Sequence, residues 1–167
     1  MEQRRKGTGW ASGPWWAYPA TATATAAAAV AGSVAVDADS PWYRALAKPR
    51  WQPPPHVFGL VWTPLYVSLA WATGRALSGA RRPDRRALAT AVGVNLITNG
   101  AWTWFFFRRQ SPPAGLLATL ALDVSNVVLI RRVAGADRTA AAALLPYAAW
   151  CAFATALNAD IAWRNRG

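Results

Sequence analysis

Three sets of aromatic and amide side chains recur at helical spacing, and together they suit one kind of chemistry, the holding of a flat, mostly apolar molecule. Asn95, Asn99, Trp102 and Phe106 fall at i, i+4, i+7 and i+11, positions that share one face of an α-helix. Tyr147, Trp150, Ala154 and Asn158 repeat that spacing, with Ala154 leaving room where its neighbours bring bulk. Phe58, Trp62 and Tyr66 follow one another every four residues. Broad π faces supply stacking, and a few amides supply orienting hydrogen bonds, as sites for planar ligands require. A single stripe of this kind also has a plainer reading, because amides join helices and aromatic rings pack. Three matching stripes point to a cavity with aromatic walls.

Groups for catalysis are sparse. His56 is the one histidine, and metal or acid–base chemistry usually needs companions, so it reads as a polar residue at the start of a helix. Cys151 stands alone in an apolar run, which excludes an internal disulfide. No glycine-rich phosphate loop, nucleophile elbow or metal-spaced cluster occurs, so neither catalytic residues nor a metal site is expected. Asp123 lies within an apolar block with Asn126 one turn later, where an ionised carboxylate is costly unless paired. It is expected to be protonated, hydrogen-bonded to Asn126 or another helix, or at an oligomer contact, with a proton relay left open. Asp160 and Arg164 are four apart on a helix and are expected to pair.

These groups need elements to position them, and the composition points to the bilayer as solvent. Of 167 residues, 54% are apolar and only 15% charged, and the apolar ones are segregated into blocks. The net charge of +11 could suggest nucleic acid, but the 18 Lys and Arg lie outside or at the ends of those blocks, where loops meet anionic lipid headgroups. Nucleic acid is therefore not an expected partner; membrane lipid is. Several of the eleven Trp also sit at block ends, as interfacial anchors do.

The blocks predict an all-α membrane protein, a bundle of five transmembrane helices over 19–36, 56–74, 86–107, 113–130 and 139–163. A mobile basic tail is expected over 1–18 and a membrane domain over 19–165. The first helix is read as retained rather than as a signal peptide, because it lacks a leucine core. Five spans put the termini on opposite sides. Eleven basic residues fall on the side of the N-terminus and seven on the other, which predicts a cytoplasmic N-terminus. The segment 37–55 then lies opposite as a lid, and its five prolines from Pro41 to Pro55 predict a stiff, extended, non-helical connection. Trp51 is expected to cap the cavity beneath it, with Lys48, Arg50 or His56 placed to meet acidic groups of a ligand.

The lid and the stripes resemble a known family. Trp42-Tyr43, Leu46, Lys48-Pro49, Trp51, Pro53-Pro54, Val57-Phe58-Gly59, Val61-Trp62-Thr63 and Leu65-Tyr66 are similar, in order, to the signature of the translocator protein family, also called tryptophan-rich sensory proteins or peripheral benzodiazepine receptors. Asn95, Asn99, Trp102 and Phe105-Phe106 resemble its third helix. Pro146-Tyr147, Trp150, Phe153-Ala154-Thr155, Leu157-Asn158 and Trp163-Arg164 resemble its fifth.

The resemblance implies a five-helix bundle, usually a homodimer, with a pocket closed by the first loop. It implies porphyrin ligands such as protoporphyrin IX or haem, no required cofactor, and a pocket wall of Trp42, Trp51, Phe58, Trp62, Tyr66, Asn95, Asn99, Trp102, Phe106, Trp150, Ala154 and Asn158. The segment Leu157 to Arg164 has Ala159 and Asp160 where the animal cholesterol motif requires Tyr, which speaks against sterol binding through it. Leu60 stands where the family usually has Pro, and Pro64 lies four residues on, which predicts a shifted bend. The expected function is a tetrapyrrole-binding sensor or carrier in the membrane. A porphyrin-degrading photo-oxidative enzyme and a small proton-coupled transporter using Asp123 are the alternatives.

Overall fold

The computed structural model describes residues 14–166, and the expected tail lies outside the described residues as far as residue 13. All regular structure among the described residues is helical: α1 (Ala17–Ser33), α2 (Pro41–Ala45), α3 (Pro55–Gly79), α4 (Arg82–Thr103), α5 (Pro112–Ala136), α6 (Arg138–Ala143) and α7 (Leu145–Arg164). Proline sits in the first turn of α2, α3, α4, α5 and α7. There its fixed φ is pre-organised and its missing N–H would have had no helical partner. Ser40, Ser111 and Asp137 cap α2, α5 and α6 by accepting from the backbone N–H three residues on.

Several bounds differ from expectation for a physical reason. α3 and α5 continue past Arg75 and past Arg131-Arg132, because arginine is a good helix former. Such residues mark where a hydrocarbon layer would end, not where a helix must. α6 and α7 continue one rod with a break at Leu144, two residues before Pro146, whose missing N–H cannot serve the carbonyl of Ala142. The lid is not wholly extended. Pro41 opens the short helix α2, since proline obstructs a helix interior but not its first turn.

At its C-terminal end α4 widens into a π-helical turn, Trp104–Arg108, in which Arg109 N–H reaches the carbonyl of Trp104 at 3.0 Å. Such turns insert one residue and re-aim the side chains beyond them. Gln110 then leaves the rod in the left-handed region at φ 49°.

Five rods close into a ring: α3 packs on α1, α1 on α4, α4 on α5, α5 on α7, and α6 and α7 return to α3. α1 and α3 approach closely at Gly74, where an added Cβ would meet Tyr18 and Thr21 at 2.9 Å. Thr21 also donates across that contact to the carbonyl of Ala70 at 2.8 Å.

Among the described residues, three segments are long and apolar enough to cross a membrane: Pro55–Gly79, Pro112–Ala136 and Arg138–Arg164. α1 has 17 residues, fewer than the roughly 20 that a bilayer core asks for. α4 carries Arg82, Asp84, Arg85 and Arg86 in its first turns. The distribution of polarity is reversed from that of a water-soluble bundle. Asn95, Asn99, Asn126 and Asn158 are buried, while Leu60, Val67, Ile97, Leu117 and Val124 face outward. Apolar lipid outside and hydrogen-bonded amides inside account for both.

Candidate functional site

A cavity of about 460 Å³ lies at the lid end of the ring. α3 contributes Phe58, Trp62 and Tyr66, α4 contributes Asn99 and Trp102, the π-helical turn contributes Phe106 and Phe107, and α7 contributes Asn158. The helical spacing read from the sequence accounts for these residues through Phe106, and Phe107 of the π turn joins them without having been expected. Trp62 and Tyr66 stack at 5.1 Å with planes 22° apart, and Trp102 lies 6.5 Å from Phe106.

The floor is ordered by hydrogen bonds that run away from the cavity. Tyr66 donates to Asn99 Oδ1 at 2.9 Å, Asn99 Nδ2 donates to the Tyr147 hydroxyl at 3.1 Å, and Tyr147 donates to Asn95 Oδ1 at 3.0 Å. Asn95 Nδ2 completes the chain on α5, with Ser125 Oγ at 2.9 Å and Asn126 Oδ1 at 2.6 Å. Beside it, Trp102 Nε1 donates to Asn158 Oδ1 at 3.4 Å, while Asn158 Nδ2 donates to the Ala154 carbonyl at 2.8 Å.

Of the twelve expected wall residues, Phe58, Trp62, Tyr66, Asn99, Trp102, Phe106 and Asn158 line the cavity, and the other five do not. Trp42 stands behind the wall, edge-on to Phe106 at 5.6 Å. Asn95 is turned to α5 by the bonds just described. Trp150 stacks on Phe153 at 5.0 Å and meets Phe58 edge-on, and its buried Nε1 has no partner. Ala154 is buried one turn before Asn158.

Trp51 requires the largest correction. Instead of capping the cavity it lies against Phe153 of α7 at 5.6 Å and donates through Nε1 to Asp160 Oδ2 at 3.2 Å. Lys48, Arg50 and His56 do not line the cavity either. Lys48 Nζ sits 4.5 Å from the Tyr43 ring centre and donates to the carbonyls of Arg44 and Leu46. Desolvation there lowers the pKa of its ammonium.

Tyr43 takes the place expected of Trp51. It lines the cavity from the lid, packs against Phe106 and Phe107, and accepts from Gln52 Nε2 at 3.0 Å. Burial raises the pKa of its phenol against the lowering effect of that hydrogen bond, so its O–H stays available as a donor. The lid is fastened by Asn165, which both donates to the carbonyl and accepts from the N–H of Ala47 at 3.0 Å. Asp160 pairs with Arg164 at 2.6 Å, as the spacing predicts.

Comparison with known protein families matches residues 13–164 to the TspO/MBR family. The chain belongs to this family. Among its relatives, "Tryptophan-rich protein TspO" of Chlorobaculum tepidum is 32% identical over 136 residues, covering 80% of this chain and 86% of the relative. "Translocator protein" of Homo sapiens is 32% identical over 127 residues, covering 74% of each. "Tryptophan-rich sensory protein" of Cereibacter sphaeroides is 32% identical over 119 residues, covering 70% of this chain and 72% of the relative. These relatives bear the names of translocator and sensory proteins rather than of enzymes, and the apolar helices agree with a membrane protein family.

Within this TspO/MBR chain, the reading from sequence missed the contribution of α1 and the segment after it. Ala29, Gly32, Ser33, Val36 and Ala38 line the cavity, as do Thr103, Leu157 and Ile161. Small and aliphatic residues carry no chemical signal of their own. Only the alanine and glycine content of α1, which permits close helix approach, could have hinted at it. Asp123, which does not line the cavity, accepts from Thr155 of α7 at 2.7 Å, while its Oδ1 is buried without a partner. Its predicted hydrogen bond thus goes to another helix, not to Asn126.

Proposed function

We propose that this TspO/MBR protein is an integral membrane tetrapyrrole-binding protein that acts as a sensor or carrier. The observation that carries the reading is the cavity of about 460 Å³, walled by Phe58, Trp62, Trp102 and Phe106 and fronted by Tyr43 of the lid. That volume is in the range of small-molecule sites, and its rings suit a planar macrocycle held by stacking. No histidine, cysteine or methionine lines it among the described residues. A haem would be held there chiefly through its ring and substituents. The cavity lining also offers no carboxylate or imidazole for acid–base work, which favours binding over turnover.

In this reading all five rods span the bilayer, with α1 and α4 inserting through their contacts with the three apolar rods. The N-terminus is cytoplasmic, the lid and C-terminus lie on the opposite side, and the protein works as a homodimer in contact with lipid. The segment Leu157 to Arg164 lacks the Tyr of the animal cholesterol motif, which speaks against sterol binding through it.

Titration of protoporphyrin IX into the detergent-solubilised protein, followed by tryptophan fluorescence, tests the proposal. Saturable quenching that weakens in Trp62→Ala combined with Asn158→Ala is expected. Quenching that is linear in porphyrin, or unaltered by the double substitution, overturns it.

A further inference from the structure

The hydrogen-bond chain beneath the cavity has a direction, and that direction is set from its far end. Ser125 Oγ donates to the carbonyl of Leu122 at 2.7 Å, and a carbonyl can only accept. With its hydrogen committed, Ser125 can only accept from Asn95, so Asn95 must turn Nδ2 toward α5 and Oδ1 toward Tyr147. Tyr147 must then donate to Asn95 and accept from Asn99, and Asn99 must turn Oδ1 toward Tyr66. Tyr66 spends its hydrogen on Asn99 and is left with a lone pair. Asn126 offers no such fixed acceptor, because its own Nδ2 makes no hydrogen bond that would commit its orientation. The neighbouring amide obeys the same logic: Asn158 gives Nδ2 to the Ala154 carbonyl, which leaves Oδ1 beside Trp102 and the cavity.

The geometry points to Ser125, which is absent from the cavity lining, as the positioning residue that makes the Tyr66 hydroxyl an acceptor toward the cavity, beside the Asn158 Oδ1 that the Ala154 carbonyl turns the same way. A ligand must then bring donors or apolar groups to this floor and keep its carboxylates at the mouth, where the Tyr43 O–H has no acceptor among the described residues. This inference rests on the tetrapyrrole reading and adds to it an orientation, with the propionate edge at the lid. Without the Ser125 hydroxyl the chain can reverse: Asn95 and Asn99 turn over, Tyr147 donates to Asn99, and Tyr66 offers its hydrogen to the cavity.

Two porphyrins of nearly equal size probe the floor. Haematoporphyrin carries hydroxyethyl groups, which donate, on the edge opposite its propionates; 2,4-diacetyldeuteroporphyrin carries acetyl groups, which only accept, at the same places. The protein with Ser125 intact is expected to bind haematoporphyrin on the order of tenfold more tightly, the difference between a hydrogen bond made and an acceptor left facing an acceptor. Ser125→Ala is expected to narrow the preference to within about twofold, and Ser125→Thr, which restores the hydroxyl, to recover it.

A merely structural role for Ser125 would weaken both ligands alike and leave their ratio standing. Equal affinities in the unsubstituted protein overturn the inference while leaving the tetrapyrrole reading in place, and they do so even where a Ser125 variant fails to fold. An unchanged ratio in Ser125→Ala also overturns it. Absence of saturable quenching by either porphyrin removes the tetrapyrrole reading and this inference with it.

Discussion

Gly115 of α5 lies so close beneath Phe106 of the π-helical turn that an added Cβ would stand 2.8 Å from Phe106 Cδ2, and 3.1 Å from Asn158 Oδ1. One glycine therefore lets α5 support an aromatic wall and an amide of the cavity at once. Gly115→Ala is expected to lower stability by about 1–3 kcal/mol, the usual cost of overpacking, and to weaken protoporphyrin IX binding. Gly93→Ala, with nothing within 4 Å of the added Cβ, serves as the control and is expected to stabilise α4 slightly. Melting temperatures in detergent and the quenching titration read both.

The lid gives a second prediction, because it has one tryptophan outside the cavity and one tyrosine lining it. Tyr43→Ala is expected to weaken porphyrin binding several-fold more than Trp51→Ala, which removes only the contacts with Phe153 and Asp160. Equal losses in the two titrations would show that Trp51 reaches the ligand after all.

Asp137 supplies a pH-dependent element outside the apolar spans. It caps α6 through Ala140 N–H at 2.9 Å and pairs with Arg75 at 2.7 Å. The hydrogen bond from Ala140 leads the influences that lower its pKa, with Arg75 adding to it. A lowered carboxylate pKa stabilises the fold above the unfolded value, near 4, and the contribution disappears as pH falls through the folded value. Asp137→Ala is expected to cost about 1 kcal/mol at neutral pH. Melting curves of the two proteins should converge as pH falls below the folded-state value.

Asp123 binds Thr155 away from the cavity, so Asp123→Asn is expected to leave porphyrin affinity within about twofold. Replacing a carboxylate that has one unpartnered buried oxygen should raise, not lower, the melting temperature. A fall in affinity measured by the same titration would connect Asp123 to the site.

Much of the candidate site was legible because a helix repeats every 3.6 residues and places like residues on one face. Trp62 and Tyr66, Asn99 and Trp102, and Asn158 line the cavity as their spacing predicts. The same rule failed at Asn95 and Ala154. A helical face is wider than a cavity wall, and which part of it meets the lumen depends on where the next helix packs. For Asn95 that neighbour is α5, which captures the amide through Ser125 and Asn126.

By itself the amino-acid sequence determined an all-helical chain with apolar blocks and the aromatic and amide groups available to a ligand. These are local properties, written in residue type and spacing. Only the tertiary structure decided that α1 completes the wall, that a π-helical turn brings Phe107 into it beside the expected Phe106, and that Tyr43 rather than Trp51 lines the cavity from the lid. Each of those depends on contacts between residues far apart in the chain. The direction of the Ser125 to Tyr66 chain depends on four such contacts in succession, and no single helix contains the information that sets it.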